Sequence, residues 1–244
     1  MHIDKIIDQY RVLGNPIHQS KSPNIHQAFA AATNQYLNYQ AQLVVEKDFE
    51  HTVRQFFAAG GKGLNITVPF KQRAFAMAQV HSPAAAKAEA ANTLYLNAQA
   101  QLVADNTDGL GLVRDICHNL KGQLNAKRIL VLGAGGAVRG VLQPILAQRP
   151  AQVVIANRTY TKACDLVALF TDLGAIEAIP IAQLQGSFDW IINGIITPVH
   201  ITQEILEYTY QVQNFIIWHY MYGSKYDTLF WKAAGKLKFE DPTF

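Results

Sequence analysis

The most informative stretch of this 244-residue sequence is Lys127-Arg-Ile-Leu-Val-Leu-Gly133-Ala-Gly-Gly-Ala137. Its apolar run ends at a cluster of glycines, and apolar residues then recur with helical spacing from Val138 to Leu146. This pattern predicts a buried parallel strand, a tight turn and a helix. Glycines suit such a turn because the backbone must bend sharply and let a phosphate approach closely. The N–H groups at the start of the helix then favour the negative charge of that phosphate.

The glycine pattern alone leaves two interpretations open: a dinucleotide site, or an ordinary strand–turn–helix unit of an α/β protein. The usual dinucleotide spacing is Gly-x-Gly-x-x-Gly, and here Val138 stands at the third glycine position. On the first interpretation, the residues that contact the cofactor are Gly133, Ala134, Gly135, Gly136 and Ala137.

The strand that follows favours NADP as the cofactor. Gln152 to Ala156 is strand-like, and the next residues are Asn157, Arg158 and Thr159, with Lys162 one turn later. An NAD site usually has an acidic residue there, which binds the ribose hydroxyls, whereas a cationic cluster suits the 2′-phosphate of NADP. The alternative is a solvated basic helix start, which fits Lys162 better than Arg158.

Composition indicates a soluble cytoplasmic protein with one large or two small domains. The net charge of +3 is too small to indicate a nucleic-acid or membrane partner, and no apolar run reaches the ~20 residues of a membrane helix. The first five residues do not resemble a signal peptide. Cys117 and Cys164 have helical apolar neighbours, which predicts buried thiols rather than a disulfide. The histidines form no cluster with ligand spacing, so we expect no metal site.

Strand and helix patterns also alternate through the first hundred residues. Tyr10 to Leu13 predicts a short strand that ends at the turn Gly14-Asn-Pro16. Ser22 followed by Pro23 predicts a helix that Ser22 caps. Ser20 and Ser22, beside the positive end of that helix, also suit an anion, so capping alone and anion binding both stay open.

Polar residues interrupt the next predicted strand, residues 64–68, where Asn65 and Thr67 share one face. They are either the solvated face of this strand or part of a binding site. Lys71 stands where the strand meets the next helix. A lysine at such a junction is more commonly a surface residue, but the position also suits a site residue.

Two further polar positions follow an alanine-rich helix predicted from Pro83 to Ala91. Asn92 comes directly after this helix, and Asp108 precedes a long helix predicted from Leu110 to Leu120. Capping of that helix is the simplest role for Asp108. Taken singly, neither position identifies a site.

Six motifs occur in order between about residues 10 and 160: Gly14-Asn-Pro-Ile with Ser20-Lys-Ser-Pro23, Asn65-Ile-Thr-Val-Pro-Phe-Lys71, Ala91-Asn-Thr93, Asp105-Asn-Thr-Asp-Gly109, Gly133-Ala-Gly-Gly-Ala137 and Asn157-Arg-Thr159. Together they resemble the shikimate dehydrogenase family. The resemblance implies an N-terminal α/β substrate domain, a Rossmann-type doubly wound dinucleotide-binding domain and a cleft between them. It also implies an NADP-dependent oxidoreductase of aromatic amino-acid biosynthesis that reversibly reduces 3-dehydroshikimate to shikimate.

The resemblance further implies roles for individual residues. The residues implied to bind the substrate are Ser20, Ser22, Asn65, Thr67, Asn92 and Tyr222. Lys71 and Asp108 are the implied catalytic pair. Reduction of a ketone by hydride needs a proton donor near the developing alkoxide, and Lys71 can supply that proton and a positive charge. Because a neighbouring carboxylate favours the charged ammonium, we predict that Asp108 mainly orients Lys71 and the substrate.

The predicted domains are residues 1–108 for the substrate, a connecting helix at 109–123, residues 124–222 for NADP, and a C-terminal segment at 223–244. The last third resembles the family less closely. Residues 194–197 stand where the family has a small polar loop, which here is shortened and apolar, and His219 replaces an aspartate in a Tyr-Asp-x-x-Tyr pattern.

The predicted C-terminal segment stops at Phe244, where the family continues into helices that carry a substrate-binding glutamine. We therefore expect NADP binding to be better retained than shikimate binding. We also expect uncovered apolar faces on the substrate domain, at Phe29, Phe56 and Phe57.

Three functions compete at this point: a shikimate dehydrogenase, a dehydrogenase that also accepts quinate, and a truncated non-catalytic nucleotide-binding relative. Lys71 and Asp108 favour an enzyme, whereas the altered stretches 194–197 and 240–244 favour the relative without activity. The expected partner is the small-molecule substrate, and the expected assembly is a monomer or a homodimer.

Overall fold

Two β-sheets flanked by helices make up the part of the chain that the computed structural model describes, residues 7–194 and the backbone of 215–216. The strands are β1 (Asp8–Gly14), β2 (Leu37–Leu43), β3 (Gly63–Ile66), β4 (Val80–His81), β5 (Thr93–Leu96), β6 (Leu102–Asp105), β7 (Arg128–Leu132), β8 (Gln152–Ala156), β9 (Ile176–Ile179), β10 (Trp190–Asn193) and β11 (Phe215–Ile216). The helices are α1 (Ser22–Ala32), α2 (Phe49–Ala58), α3 (Lys71–Met77), α4 (Pro83–Ala88), α5 (Asp108–Arg114), α6 (Gly136–Leu146) and α7 (Tyr160–Phe170).

The first sheet has the strand order β2-β1-β3-β5-β6-β4. β1 is parallel to both of its neighbours, and β5 is antiparallel to both of its own. Since β1 and β3 are parallel neighbours with Leu13 opposite Ile66, the loops that follow them leave the sheet side by side. This edge, at the carboxyl ends of parallel strands, is where α/β sheets bind ligands.

Alternation along β3 separates the core from the polar face. Leu64 and Ile66 are buried against α2, whereas Asn65 between them faces the other side. Phe49, Val53 and Phe56 follow α2 at helical spacing and are buried on the same cluster. Burial of one such side chain stabilises the fold by about 1.5–3 kcal/mol.

Of the three phenylalanines predicted to lie on uncovered apolar faces, only one is largely exposed. Phe29 is 61% exposed, as expected. Phe56 is only 5% exposed because it packs into the core under α2, close to the main chain of Gly61, and Phe57 is half-buried against the same core. The expectation was therefore wrong for Phe56.

The second sheet consists of five parallel strands in the order β11-β10-β7-β8-β9. Residues 129–132 of β7 are buried on both faces, so the apolar run is continuous rather than alternating. Ile129 and Val131 pack on the α6 side, and Leu130 and Leu132 pack on the other side. The structure thus confirms the predicted α/β class, with a Rossmann-type arrangement in this sheet.

Two predicted helices end earlier than their apolar patterns suggest. α4 stops at Ala88 because Glu89 adopts a left-handed backbone (φ 48°) and the Ala91 N–H then donates to the Lys71 carbonyl oxygen at 2.8 Å. α5 gives way after Arg114 to a π-helical turn, residues 115–119. In both places a tertiary or non-α hydrogen bond replaces the bond that would continue the helix.

The two sheets meet where α5 crosses α6. A Cβ on Gly109 would lie 2.5 Å from the carbonyl oxygen of Gly140, so these helices touch main chain to main chain. Two ion pairs lie nearby, from Arg139 to Glu89 at 2.8 Å and from Lys87 to Asp172 at 2.6 Å. The contacts of Gly140 and Arg139 hold α6 against α5 and against the end of α4.

Both cysteines are free thiols, as predicted, but they are half-buried rather than buried. None of the helices in the described residues is long and apolar enough to cross a membrane. The same residues hold no cluster of three or more side chains of the His, Cys, Asp or Glu type that would ligate a metal ion.

Candidate active site

Lys71 and Asp108 form a buried ion pair. The Lys71 Nζ lies 2.6 Å from the Asp108 Oδ2, and the two side chains are 3% and 12% exposed. Each is the first residue of its helix, so the starts of α3 and α5 bring them together. The alternative interpretations, a surface lysine and a helix-capping aspartate, are therefore wrong, because both side chains turn inward and Thr107 occupies the cap position of α5 without a side-chain cap bond.

Asn92 holds the second oxygen of this carboxylate. Its Nδ2 donates to the Asp108 Oδ1 at 2.8 Å. The orientation of the Asn92 amide is fixed from the other side, because its Oδ1 accepts the Thr107 N–H at 3.1 Å and the Thr93 hydroxyl at 2.9 Å. Both oxygens of Asp108 are thus engaged by donors, one cationic and one neutral.

Asn65 extends the polar row along the sheet edge. Its Nδ2 donates to the Asn92 carbonyl oxygen at 3.3 Å and to the Thr93 hydroxyl at 3.4 Å. The Tyr39 hydroxyl donates to the Asn65 Oδ1 at 2.6 Å. A continuous network therefore links Tyr39 to Lys71. Amides and hydroxyls in a row suit a substrate with several hydroxyl groups.

Tyr39 is itself supported by His26 of α1. The two rings stack with centroids 4.1 Å apart and planes 4° from parallel. Burial lowers the pKa of His26, so the ring is neutral at pH 7 and packs as an uncharged aromatic group. The stack fixes the position of the tyrosine hydroxyl that binds Asn65.

Thr67 lies at the carboxyl end of the same strands. The residue is 6% exposed and packs on Gly14, where a Cβ would come within 2.4 Å of the Thr67 Cγ2. Its N–H donates to the Leu13 carbonyl oxygen at 2.9 Å. Glycine at position 14 is therefore required by the close approach of the loops that follow β1 and β3.

The serines occupy the start of α1, but not as predicted in detail. Ser22 is the first helical residue and the cap residue is Lys21, whose side chain makes no cap bond, so the prediction that Ser22 caps the helix was wrong. The helix starts one residue early because the Ser20 Oγ accepts the Ser22 N–H at 3.3 Å. The anion-binding role of Ser20 and Ser22 stays a prediction.

The glycine loop between β7 and α6 turns sharply and leads into a helix start that faces open space. Gly133 adopts a left-handed backbone (φ 105°), which favours glycine. A Cβ on Gly135 would meet nothing within 4 Å, so this residue faces open space at the start of the helix. The helix begins at Gly136, whose Cβ would lie 3.3 Å from the Lys71 Cβ. The candidate phosphate site is therefore adjacent to the ion pair.

Val138 at the third glycine position has a physical explanation. The third glycine of the usual pattern allows helix and strand to pack closely. Here the buried Val138 packs on Gly194, just after β10, where a Cβ would lie 2.4 Å from the Val138 Cγ2. Close packing is thus achieved with the glycine on the strand side, and Ala137 is also buried in this first turn.

The cationic residues after β8 are exposed. Arg158 and Lys162 form no ion pair with any residue in the described part of the chain. Asn157 donates from Nδ2 to the Thr159 carbonyl oxygen at 2.9 Å. Thr159 occupies the N-cap position of α7, but its side chain makes no cap hydrogen bond. A glycine turn, a helix start with open N–H groups and available cations one strand away all fit NADP.

Some predicted positions lie outside the described residues. These are Tyr222, residues 195–197, His219 and residues 240–244. Conversely, sequence reasoning missed Tyr39, Thr93, Asn106 and Thr107. Asn106 and Thr107 lie in the motif Asp105-Asn-Thr-Asp-Gly109, so their position in that motif could have identified them as site residues. For Tyr39 there was no such signal, because nothing along the chain links it to Asn65.

Two family models match the chain in succession. The model described as the shikimate dehydrogenase substrate binding domain matches residues 12–94. The model described as shikimate / quinate 5-dehydrogenase matches residues 115–210. The interval between the matches contains β6 and α5, which lead from the first sheet to the second.

Individual proteins are similar over most of this chain. A shikimate dehydrogenase (NADP(+)) of Cellvibrio japonicus is 54% identical over 194 residues, which are 79% of this chain and 70% of the relative. The crystal structure of an Ael1 enzyme from Pseudomonas putida has a TM-score of 0.81 at 40% identity, with 93% of this chain and 83% of that chain covered. A shikimate 5-dehydrogenase from Thermus thermophilus, solved with NADP(H) and shikimate, has a TM-score of 0.67 at 27% identity, with 78% of this chain and 69% of that chain covered.

Proposed function

The chain belongs to the shikimate dehydrogenase family, and we propose that it is an NADP-dependent oxidoreductase that interconverts 3-dehydroshikimate and shikimate. One observation carries this proposal. The buried pair of Lys71 and Asp108 lies next to the glycine loop at Gly136, so a proton donor and a dinucleotide site share one edge of the fold. A binding protein without activity has no need for a buried ion pair at that place, since such pairs stabilise a fold weakly.

The chemistry divides between the cofactor and the protein. NADPH, when bound, supplies the hydride that reduces the ketone. The Lys71 ammonium then donates a proton to the alkoxide oxygen and, before that, stabilises the negative charge that develops on it. Asp108 aims the ammonium, since one carboxylate oxygen holds Lys71 and the other is held by Asn92. In the oxidative direction the lysine reacts as the neutral amine, after it has released a proton to solvent, and accepts the proton of the substrate hydroxyl.

The remaining polar residues bind and orient the ring. Asn65, Thr67 and Asn92 present amides and a hydroxyl at the sheet edge, and we assign them to the ring hydroxyls. Ser20 and Ser22 at the start of α1 are assigned to the substrate carboxylate, because hydroxyl donors beside a helix N-terminus favour an anion. Tyr222 is assigned to substrate binding on the resemblance alone.

A steady-state assay tests the proposed function. Purified protein is assayed with shikimate or quinate as the reductant and with NADP or NAD as the acceptor. We expect NADP reduction with shikimate to give the highest kcat/KM. A higher kcat/KM with quinate would move the chain to the quinate branch of the family, and no turnover with any pair would support the non-catalytic alternative.

We predict that replacement of Arg158 by alanine removes most of the preference for NADP. A charge-assisted contact to the 2′-phosphate contributes about 1.5–3 kcal/mol, which is roughly ten- to a hundredfold in kcat/KM. The variant R158A should lose that factor with NADP and keep its kcat/KM with NAD. Arg149, which is exposed just before β8, provides the matched control, and R149A should leave both values unchanged. Equal kcat/KM for both cofactors in the unmutated protein would refute the assignment.

The same proposal covers the domain organisation, the cellular location and the oligomeric state. We assign residues 1–108 to the substrate, 109–123 to the connection, 124–222 to NADP and 223–244 to a C-terminal segment. We also propose a cytoplasmic location, which suits the two free cysteines. A monomer and a homodimer are both compatible with this function, and light scattering on the purified protein distinguishes them.

A further inference from the structure

Asn106 lies at the end of β6, and at 2% exposure it is among the most deeply buried polar residues in the described part of the chain. Both the oxygen and the nitrogen of its amide bind main-chain groups. The Oδ1 accepts the Asp108 N–H at 3.2 Å, and the Nδ2 donates to the Ala90 carbonyl oxygen at 2.9 Å. The first N–H groups of any helix lack an acceptor within the helix, so Asn106 supplies the acceptor for the first residue of α5.

The same amide is the surface on which α6 rests. A Cβ on Gly140 would lie 2.7 Å from the Asn106 Nδ2 and 2.8 Å from its Oδ1. Real Cβ atoms do not approach so closely, so only glycine at position 140 permits this contact. One turn earlier, α6 begins at Gly136 beside Lys71.

We propose that Asn106 is a positioning residue for the reaction. It holds Asp108 in line with Lys71, and it sets the distance between this pair and the start of α6. The inference rests on the proposed function, because it takes the reaction to occur between the ion pair and the glycine loop. A rigid, buried amide suits this task, since it bonds one half of the site and packs against the other.

The variant N106A tests the role in catalysis. It removes the acceptor for the Asp108 N–H and the packing surface for α6, and it leaves the side chains of Lys71 and Asp108 unchanged. Because small misplacements of reacting groups cost up to about a hundredfold, we expect kcat per folded molecule to fall about ten- to a hundredfold. The KM values for shikimate and NADP should change far less than kcat. A role confined to folding would lower the melting temperature and the folded fraction but leave kcat per folded molecule unchanged.

The variant G140A perturbs the same contact from the other side. Its new Cβ collides with the Asn106 amide, so we expect a lower kcat and a melting temperature lower by roughly 2 °C or more. In the N106A background the collision is relieved, so G140A should have little further effect on either quantity. The matched control is G111A in α5, where a Cβ meets nothing within 4 Å. That variant should keep its kcat and gain stability, as glycine-to-alanine changes inside helices do.

Amide hydrogen exchange provides a readout that needs no activity. The Asp108 N–H should exchange faster in N106A than in the unmutated protein, and in G140A as well. Unchanged exchange at Asp108, or equal effects of G140A with and without N106A, would overturn the inference. Loss of turnover in the unmutated protein would refute the proposed function instead, and the exchange and melting measurements would still decide whether Asn106 holds Asp108 and α6.

Discussion

Replacement of Lys71 by alanine is expected to lower kcat by about 10²–10⁴-fold, the usual contribution of general acid–base catalysis, while KM changes much less. The physical reason is the location of the ammonium group. Lys71 is 3% exposed and its Nζ lies 2.6 Å from the Asp108 carboxylate, so no water molecule or surface lysine replaces it easily. Steady-state kinetics in both directions, with shikimate and NADP or with 3-dehydroshikimate and NADPH, measure the effect.

The matched control for this prediction is Lys62, which directly precedes a strand of the first sheet. Its side chain is 54% exposed, and its distance to Asp8 is 3.9 Å, so K62A should leave kcat unchanged. A loss of less than about tenfold in K71A would place Lys71 outside proton transfer and assign it to substrate binding. A loss of the same size in K62A would show that the assay reports folding rather than chemistry.

The architecture was predictable where one local pattern decides it. The apolar run before Gly133 can be satisfied only by burial on both faces, and β7 is buried in this way. Helix ends were less predictable. Ala90 and Ala91 continue the alanine pattern of α4, yet the Ala91 N–H binds the Lys71 carbonyl oxygen, a partner that is distant along the chain.

In the candidate site, too, residues within local motifs were predictable, whereas contacts between distant parts of the chain were not. Lys71 and Asp108 were predicted as a pair from the motifs that contain them, and the structure places them in contact. Tyr39 could not be predicted, because its bond to Asn65 spans 26 residues and depends on the pairing of β1 with both β2 and β3. The cap assigned to Ser22 failed for a local reason, since Ser20 already supplies an acceptor for the first N–H of α1.

Replacement of Asp108 by alanine is expected to cost both stability and activity. The Lys71 ammonium would stay buried without its carboxylate, and removal of one partner from a buried pair typically costs about 3–5 kcal/mol. This is a large fraction of a total stability of ~5–15 kcal/mol, so the melting temperature should fall clearly. The kcat should fall as well, because the ammonium is no longer aimed at the substrate. Asp115 is exposed on the same helical segment, and D115A serves as the control for both measurements.

The variant D108N separates geometry from charge. The carboxylate accepts from two donors, Lys71 at Oδ2 and Asn92 at Oδ1, whereas an amide has only one oxygen. The Asn92 amide cannot flip to compensate, because its own oxygen accepts hydrogen bonds from the Thr107 N–H and the Thr93 hydroxyl. In D108N one donor must therefore face another donor, and we expect most of the loss of kcat seen in D108A although the shape of the side chain is retained.

A double-mutant cycle with K71M completes the test, read out by thermal unfolding of the four proteins. Removal of both charges leaves no isolated ion in the core, so K71M/D108N should be more stable than either single variant. Additive losses would mean that the two groups do not interact in solution, and the carboxylate would then have to act on the substrate directly. A cycle with strong coupling, together with low kcat in all three variants, would assign Asp108 its role through Lys71, as the two hydrogen bonds on its carboxylate require.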